Sequence, residues 1–447
     1  MNTLKIRLKR VLSFALVLIS ISHIFAITVF ADEKKNTLPP EPPLQYATAA
    51  CLYNLENDRI LYEYNAASTV YPASTVKLMT AIVVFEEHGD LLHETITITQ
   101  AMANEFSGNR IGLYVDEIVT YEQMLSCMLV NSANDAAIVL AHAVAGNTED
   151  FVSLMNQKAA ELGAFGTHYT NPTGMHSDSM VTTARDTLLI AKHAYSIPGF
   201  IEITSTPRYV MNATNKSDYR NVNNRNCMIS KFYSGDYYYS RAVGMNAGAT
   251  TQGGYALCGA ATDDSTGLTY IAIVLGAESV DGILYNYKNA ISMFDWAFEA
   301  YGYTKVLSST KRICEVPVSL SSTIDYVTLV PRESITVYLP TSVDVERDIR
   351  YSYNTYAASI TAPVEAGTEA GTITVLLGDE ILGSCPLITT SSIARSEFLF
   401  FLEKIKIFSQ GRFFRAMLVS VVVLSVLYVI VKAIIRERKL RRRLGRR

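Results

Sequence analysis

The sequence has 447 residues but only one tryptophan, seven histidines and six cysteines. None of the histidines, His23, His88, His93, His142, His168, His176 and His193, stands in a His-Glu-x-x-His or other metal-ligand spacing. A zinc-dependent hydrolase therefore has no ligand set to build on. Cys51, Cys127, Cys227, Cys258, Cys314 and Cys385 are widely separated and contain no Cys-x-x-Cys, which excludes a dense disulfide scaffold. Cys314 and Cys385 are the pair worth testing for a bond, with apolar filling as the equal alternative for all six. There is no internal repeat and no low-complexity block beyond one short proline-rich stretch.

An excess of one charge is also missing overall, with 39 basic and 42 acidic residues and a formal charge of −3. That balance hides a split. Lys5, Arg7, Lys9 and Arg10 precede an apolar run over 11–30, and Val29-Phe30-Ala31 offers small residues for cleavage, so residues 1–31 read as a signal peptide. An uncleaved membrane helix is the alternative, because the run is long for a signal. Residues 413–435 are apolar apart from Arg415, Lys432 and two serines, which predicts a transmembrane helix with those cations reaching outward. The nearly all-basic segment 436–447 then lies on the cytoplasmic side, a nucleic-acid-binding tail being the alternative. Without residues 1–31 and 415–447 the chain keeps 25 basic and 41 acidic residues, a formal charge of −16. That argues against nucleic acid as a partner.

Between the ends, residues 32–45 are charged and then proline-rich, which predicts an exposed linker. β-prone runs over 47–53 and 59–64 flank Asn54-Leu-Glu-Asn-Asp and read as a hairpin. Helical patterns follow over 74–87, ended by Gly89, then 121–145 and 149–162. Strands are expected over 242–245, 254–262 and 268–275, and a helix over 285–301. Strands on both sides of a helical insert imply one sheet assembled from distant segments within residues 46–304. Residues 305–395 switch to short alternating strands, at 314–319, 334–339, 359–362, 372–377 and 380–387, and read as a separate small β domain. Residues 396–412, rich in Phe and Leu with interspersed cations, read as an interfacial segment leading into the span, or as a surface helix packed on the β domain.

The chemistry is carried by Ser74-Thr75-Val76-Lys77, which puts a hydroxyl and an amine one turn apart on one helix face. Serine is a weak nucleophile until a base takes its proton, and lysine is a base only when burial or nearby positive charge keeps it neutral. A helix beginning at the serine also favours the oxyanion formed on attack at a carbonyl. About two Ser-x-x-Lys matches are expected by chance in a chain of this length, and Ser308 to Lys311 is a second one. Only the first opens a helix.

The segment Tyr71-Pro-Ala-Ser-Thr-Val-Lys-Leu-Met-Thr-Ala81 resembles the active-site segment of the low-molecular-mass penicillin-binding proteins, the serine-type D-Ala-D-Ala carboxypeptidases. Val130-Asn-Ser-Ala-Asn-Asp-Ala-Ala137 resembles their second motif and maps its serine and asparagine onto Ser132 and Asn134. The likeness continues through Phe151 to Asn156, Leu162-Gly163, Thr170 to Met175 and Thr182 to Asp186. It extends into the β domain at Ile360 to Gly367 and Gly371 to Val375. What it implies is an α+β fold: a penicillin-binding/β-lactamase-like transpeptidase domain with an antiparallel sheet and a helical cluster, followed by a small all-β domain and a C-terminal transmembrane helix. It implies no metal and no cofactor. Ser74 would be the nucleophile and Lys77 the base, Ser132 would relay protons, and Asn134 would hold substrate and lysine.

The third motif departs. Where the family has Lys-Thr-Gly, this chain has Asn246-Ala247-Gly248, followed by Ala249-Thr250-Thr251-Gln252-Gly253-Gly254. The glycine still lets a substrate backbone approach, but a cation and a hydroxyl for the substrate carboxylate are gone, and a charge-assisted hydrogen bond is worth about 1.5–3 kcal/mol. Arg241, an odd number of residues upstream, falls on the opposite face of a regular strand. Asn246, Gly248 and Thr250 are therefore the expected substrate contacts. Met180, where many relatives have histidine, is a second departure. The implied activity is removal of the terminal D-alanine from peptidoglycan stem peptides ending in D-Ala-D-Ala, through a Ser74 acyl-enzyme that β-lactam antibiotics would trap, on the outer side of the cell membrane. The alternative from another class is a wall-binding homologue that has lost turnover. A β-lactamase is a third, without a candidate for its deacylating glutamate.

Overall fold

In a computed structural model of the chain, the structure describes residues 39–444, so the signal-peptide segment 1–31 and the start of the linker lie outside the described residues. The fold is α+β, and the chain divides into two units, the first ending at Gly302 and including Pro340–Ser342, the second starting at Tyr303.

The first unit is built on an antiparallel sheet of β1 (Ala49–Asn54), β2 (Arg59–Tyr64), β3 (Ala242–Thr250), β4 (Gly254–Asp263) and β5 (Leu268–Ala277), in the order β2-β1-β5-β4-β3. Between β2 and β3 the chain inserts α1 (Val76–His88), α2 (Tyr121–Asn131), α3 (Asn134–Ala145), α4 (Thr148–Glu161) and α5 (Ala184–Ser196), and α6 (Tyr285–Ala300) follows β5. Successive side chains on a strand point to opposite faces. Ile271, Ile273 and Leu275 of β5 accordingly join the core shared with α1 to α5. Tyr270, one position out of phase, meets Phe298 of α6 at 4.7 Å between ring centroids. Both faces of β5 are covered, which is why it reads as a continuous apolar run. Helix α1 is buried from Val76 through Phe85, as expected of a helix without a polar face.

One local expectation is corrected, while Gly89 stands at the C-cap of α1 as expected and, at φ −57°, opens a short 3-10 turn. The single helix expected over 121–145 is two. Thr120 caps α2 by accepting from the Gln123 N–H while Gln123 returns a bond to the Thr120 N–H, and the helix stops at Ser132, which adopts left-handed geometry at φ 56°, ψ 38°. Ala133 is extended, and α3 restarts at Asn134.

The second unit carries a six-stranded sheet of β6 (Cys314–Ser319), β7 (Tyr326–Pro331), β8 (Ile349–Thr355), β9 (Ile360–Thr361), β10 (Glu369–Leu377) and β11 (Glu380–Thr389), ordered β8-β10-β11-β7-β6-β9. Strands β7 and β8 escape the sequence pattern. In the edge strand β8 only Ile349 is buried, so no apolar alternation is required of it. Cys314 and Cys385 are free thiols. They stand on β6 and β11, which flank β7, so two strand spacings of about 4.8 Å separate them, beyond the Cα separation a disulfide allows.

Helix α7 (Glu397–Gln410) is capped by Ser396, whose Oγ accepts the Leu399 N–H, and none of its residues is buried. Its Phe398, Phe401 and Phe408 are exposed, so the β domain does not cover its apolar side. Helix α8 (Arg412–Leu444) is, among the described residues, the one helix long and apolar enough to cross a membrane.

Candidate active site

Ser74 lies in the 3-10 turn Ala73–Thr75 that leads into α1. Thr75 Oγ1 donates to the Pro72 carbonyl at 2.7 Å. Ala73 holds φ +48°, a conformation that non-glycine residues adopt only when their surroundings enforce it. The enforcing element is the loop after α4. Gly174 sits so close that a Cβ there would lie 2.1 Å from the Ala73 carbonyl oxygen and 3.1 Å from Ser74 Cα. Asn171 shapes that loop by accepting the Thr173 and Gly174 N–H groups at 3.1 and 2.8 Å, and Thr80 Oγ1 of α1 ties it down at the Pro172 carbonyl, 2.7 Å away.

Lys77, one turn beyond Ser74, is 1 % exposed. Its amine donates to the Thr173 carbonyl oxygen. Burial pushes its pKa down from 10.5 to about 7, and the positive charge of Arg225 pushes the same way. A primary amine in that state is half neutral near pH 7 and keeps a lone pair for a proton. The Ser74 hydroxyl and the Lys77 amine thus stand one turn apart at the start of α1, as the spacing predicts.

Ser132 and Asn134, both buried, occupy the α2–α3 break. They are held by a segment that the sequence reading passed over. The Asn134 N–H donates to the Asn109 carbonyl at 2.7 Å and its Nδ2 to the Ser107 carbonyl at 3.0 Å. Asn109 Nδ2 bonds the Asn131 and Ser132 carbonyls at 2.7 and 3.1 Å. Asp135 pins the far side of this segment by accepting the Ile111 and Gly112 N–H groups at 3.0 Å each. A Cβ on Gly108 would come within 2.6 Å of Asn134 Nδ2 and 3.1 Å of Met175 Sδ, so the Ser107–Asn109 segment and the Asn171–Met175 loop meet between the two motifs.

The opposite wall is β3, an edge strand. A Cβ on Gly248 would lie 2.3 Å from Ser74 Oγ, which brings the third motif directly onto the Ser74 hydroxyl. Asn246 and Thr250 share that face by the two-residue repeat. Asn246 is 2 % exposed, and its Oδ1 has no hydrogen-bond partner. Thr250 Oγ1 accepts the Gly253 N–H at 2.9 Å and shapes the turn into β4. Arg241 is engaged elsewhere, 3.2 Å from Asp263 and 4.6 Å from the Phe298 ring centre. Met180 is a core residue. The second Ser-x-x-Lys match is an exposed turn in which Lys311 lies 3.7 Å from the Tyr351 ring centre.

The cation that sequence reasoning missed is Arg225. Its N–H donates to the Val130 carbonyl at 2.9 Å, its own carbonyl accepts from the Tyr287 hydroxyl at 3.1 Å, and its guanidinium lies over the Tyr233 ring. The neighbouring Asn226 Nδ2 reaches the Gly244 carbonyl at 3.4 Å. The Arg225 backbone is therefore tied to the Gly244 end of β3, and its charge acts on Lys77. No local pattern marks it, because tertiary folding alone brings it there.

Residues 36–279 match the family described as D-alanyl-D-alanine carboxypeptidase, and residues 301–395 match the C-terminal domain of penicillin-binding protein 5. The D-alanyl-D-alanine carboxypeptidase DacF of Bacillus subtilis is 28% identical over 404 residues, covering 89% of this chain and 98% of its own. The D-alanyl-D-alanine carboxypeptidase DacB2 of Mycobacterium tuberculosis is 30% identical over 261 residues, 58% of this chain and 84% of its own. Among solved structures, penicillin binding protein 5 from Haemophilus influenzae is alike in fold, with a TM-score of 0.56 at 24% identity over 80% of this chain and 100% of that one.

Proposed function

This chain belongs to the D-alanyl-D-alanine carboxypeptidase family of serine peptidases, and from that membership we propose how its own residues do the work. It is a serine-type carboxypeptidase acting on the D-Ala-D-Ala end of peptidoglycan stem peptides. The Ser74 hydroxyl adds to the carbonyl of the penultimate D-alanine while the neutral Lys77 amine takes its proton. The proton passes, by way of the Ser132 hydroxyl, to the departing D-alanine amine, leaving an ester on Ser74 that water hydrolyses. The observation that carries this reading is Lys77, fully buried one turn from the serine with its pKa near neutrality.

Recognition follows from the free edge of β3, along which a peptide backbone can add as a further strand. Gly248 leaves room for it beside Ser74. The terminal carboxylate then points toward Asn246 and Arg225, which stand in for the missing lysine. A β-lactam acylates the same serine. Residues 413–435 of helix α8 cross the membrane once, the basic residues 436–447 stay cytoplasmic, and both folded units lie outside.

The test uses the full chain in detergent, measuring D-alanine release from a D-Ala-D-Ala peptide and covalent labelling by a fluorescent penicillin. Wild type gives both, Ser74→Ala gives neither, and Asn246→Lys strengthens labelling. A wild type that does neither, or hydrolysis that survives Ser74→Ala, defeats the assignment.

A further inference from the structure

Gly248 fixes the point on β3 where the scissile carbonyl must sit, because nothing larger than hydrogen separates that strand from Ser74. Asn226, the residue after Arg225, bonds the Gly244 carbonyl, which ties the Arg225 backbone to the Gly244 end of the strand, and the Arg225 charge acts on Lys77; on the proposed reading the carboxylate is drawn to that end. A peptide whose carboxylate points there must run the other way over its remaining length, past Thr250 and beyond. Two residues of strand carry it about 7 Å. At that end the structure has a cleft of about 750 Å³, walled by Met175 and His176 on one side, the Thr250–Gly254 turn on another, and Glu278 at the junction of β5 with the helix that follows. This cleft is large enough for a long side chain, and it plays no part in the acyl transfer described above.

Its electrostatics are one-sided. Of the side chains lining it, Glu278 carries the formal negative charge, while Thr250, Thr251, Gln252, Tyr255 and Ser279 are neutral. His176 is taken up by Asp178, 3.0 Å away, and its ring abuts Tyr71. The Glu278 backbone is fixed on both sides, its N–H donating to the Tyr46 carbonyl at 2.9 Å and its carbonyl accepting the Tyr285 N–H at 3.2 Å. Among the described residues no lysine, arginine or histidine forms an ion pair with its carboxylate. An unneutralised carboxylate on the wall of a substrate-sized cleft attracts a cation.

We propose that this cleft is a specificity subsite in which Glu278 receives the side-chain amine of the residue preceding the D-Ala-D-Ala pair. The subsite rests on the carboxypeptidase reading for the direction of the peptide. A neutral side chain at that position loses the charge pair, and an acidic one is repelled. The enzyme thereby selects stem peptides carrying a free diamino residue over those in which that amine is already acylated.

The full chain in detergent, at low salt, is given two tripeptides, Nα-acetyl-L-Lys-D-Ala-D-Ala and its Nε-acetylated form. Wild type prefers the free amine by about fivefold in kcat/KM, the size of one partly exposed charge pair, and the ratio falls as salt is added. Glu278→Gln brings the ratio to about one, and Glu278→Lys inverts it. A second arm measures binding of both peptides to Ser74→Ala by calorimetry. Equal handling of the two peptides by wild type, or a ratio unchanged in Glu278→Gln, overturns the subsite while leaving the carboxypeptidase reading intact. A binding preference for the free amine that Glu278→Gln removes, in a chain whose wild type releases no D-alanine, defeats turnover and leaves the subsite standing.

Discussion

An amine enclosed by α1 and the Asn171–Gly174 loop cannot stay charged as easily as in water, because the charged form loses its hydration on burial. Lys77 has that surrounding and, in addition, the Arg225 guanidinium as a like charge. The consequence has a definite sign. The reactive form is the neutral one, so kcat/KM for D-alanine release should fall as pH drops through about 7 and level off above it. Arg225→Ala removes one of the two causes, so this acid limb should move to higher pH, and on the proposed mode of recognition KM should rise as well. Arg225→Lys should restore much of both. An acid limb that stays put in Arg225→Ala would mean that Arg225 does not act on Lys77. The same shift bears on stability. The unfolded lysine keeps its ordinary pKa of 10.5, so between about 7 and 10.5 the unfolded state binds the extra proton, and stability should climb with pH across that window.

At the level of elements, the site depends on loops that press on the turn before α1, and glycines mark where they press. Gly174→Ala would put a Cβ 2.1 Å from the Ala73 carbonyl at a residue with φ +80°. Both the clash and the backbone conformation oppose it, so a loss of about 1–3 kcal/mol and a strong drop in penicillin acylation are expected. Gly89→Ala, at φ −57° with open space around it, is the control and should leave the melting temperature unchanged or slightly raised. Equal effects of the two would show that the loop does not shape the nucleophile's turn. These loops also show where the sequence was readable and where it was not. Strands β1 to β5 and α1 announce themselves through apolar runs and caps, and Ser74 with Lys77 through spacing along one helix. The break at Ser132 does not, because the apolar pattern resumes at once after the short polar stretch Asn131–Asp135 and a non-glycine residue takes the left-handed geometry there. Arg225 and the Ser107–Asn109 segment are invisible for a different reason: they act through contacts between distant segments. The separation of Cys314 from Cys385 depends on strand order, which spacing alone does not encode.

For the whole molecule, the question is what the long apolar helix α8 does for the two folded units. The core of the second unit closes with Ile393, and α7 contributes no buried residue, so that core does not rely on α7 for packing. The apolar stretch 413–435 of α8 is about 34 Å long at 1.5 Å per residue, enough to cross roughly 30 Å of hydrocarbon. Apart from Phe414, which meets Phe408 at 5.7 Å between ring centroids, its side chains from Phe413 to Ile435 are exposed. In water such a band would drive association, and in a bilayer it is satisfied. The full chain should therefore sediment with membranes and resist release by high salt or alkaline carbonate, yielding only to detergent. A chain ended at residue 395 should appear in the soluble fraction with D-alanine release and melting temperature near those of the detergent-solubilised protein. Recovery of the full chain in the soluble fraction would remove α8 as the anchor. A truncated chain that unfolds would mean that the helices support the β domain in a way its core does not reveal.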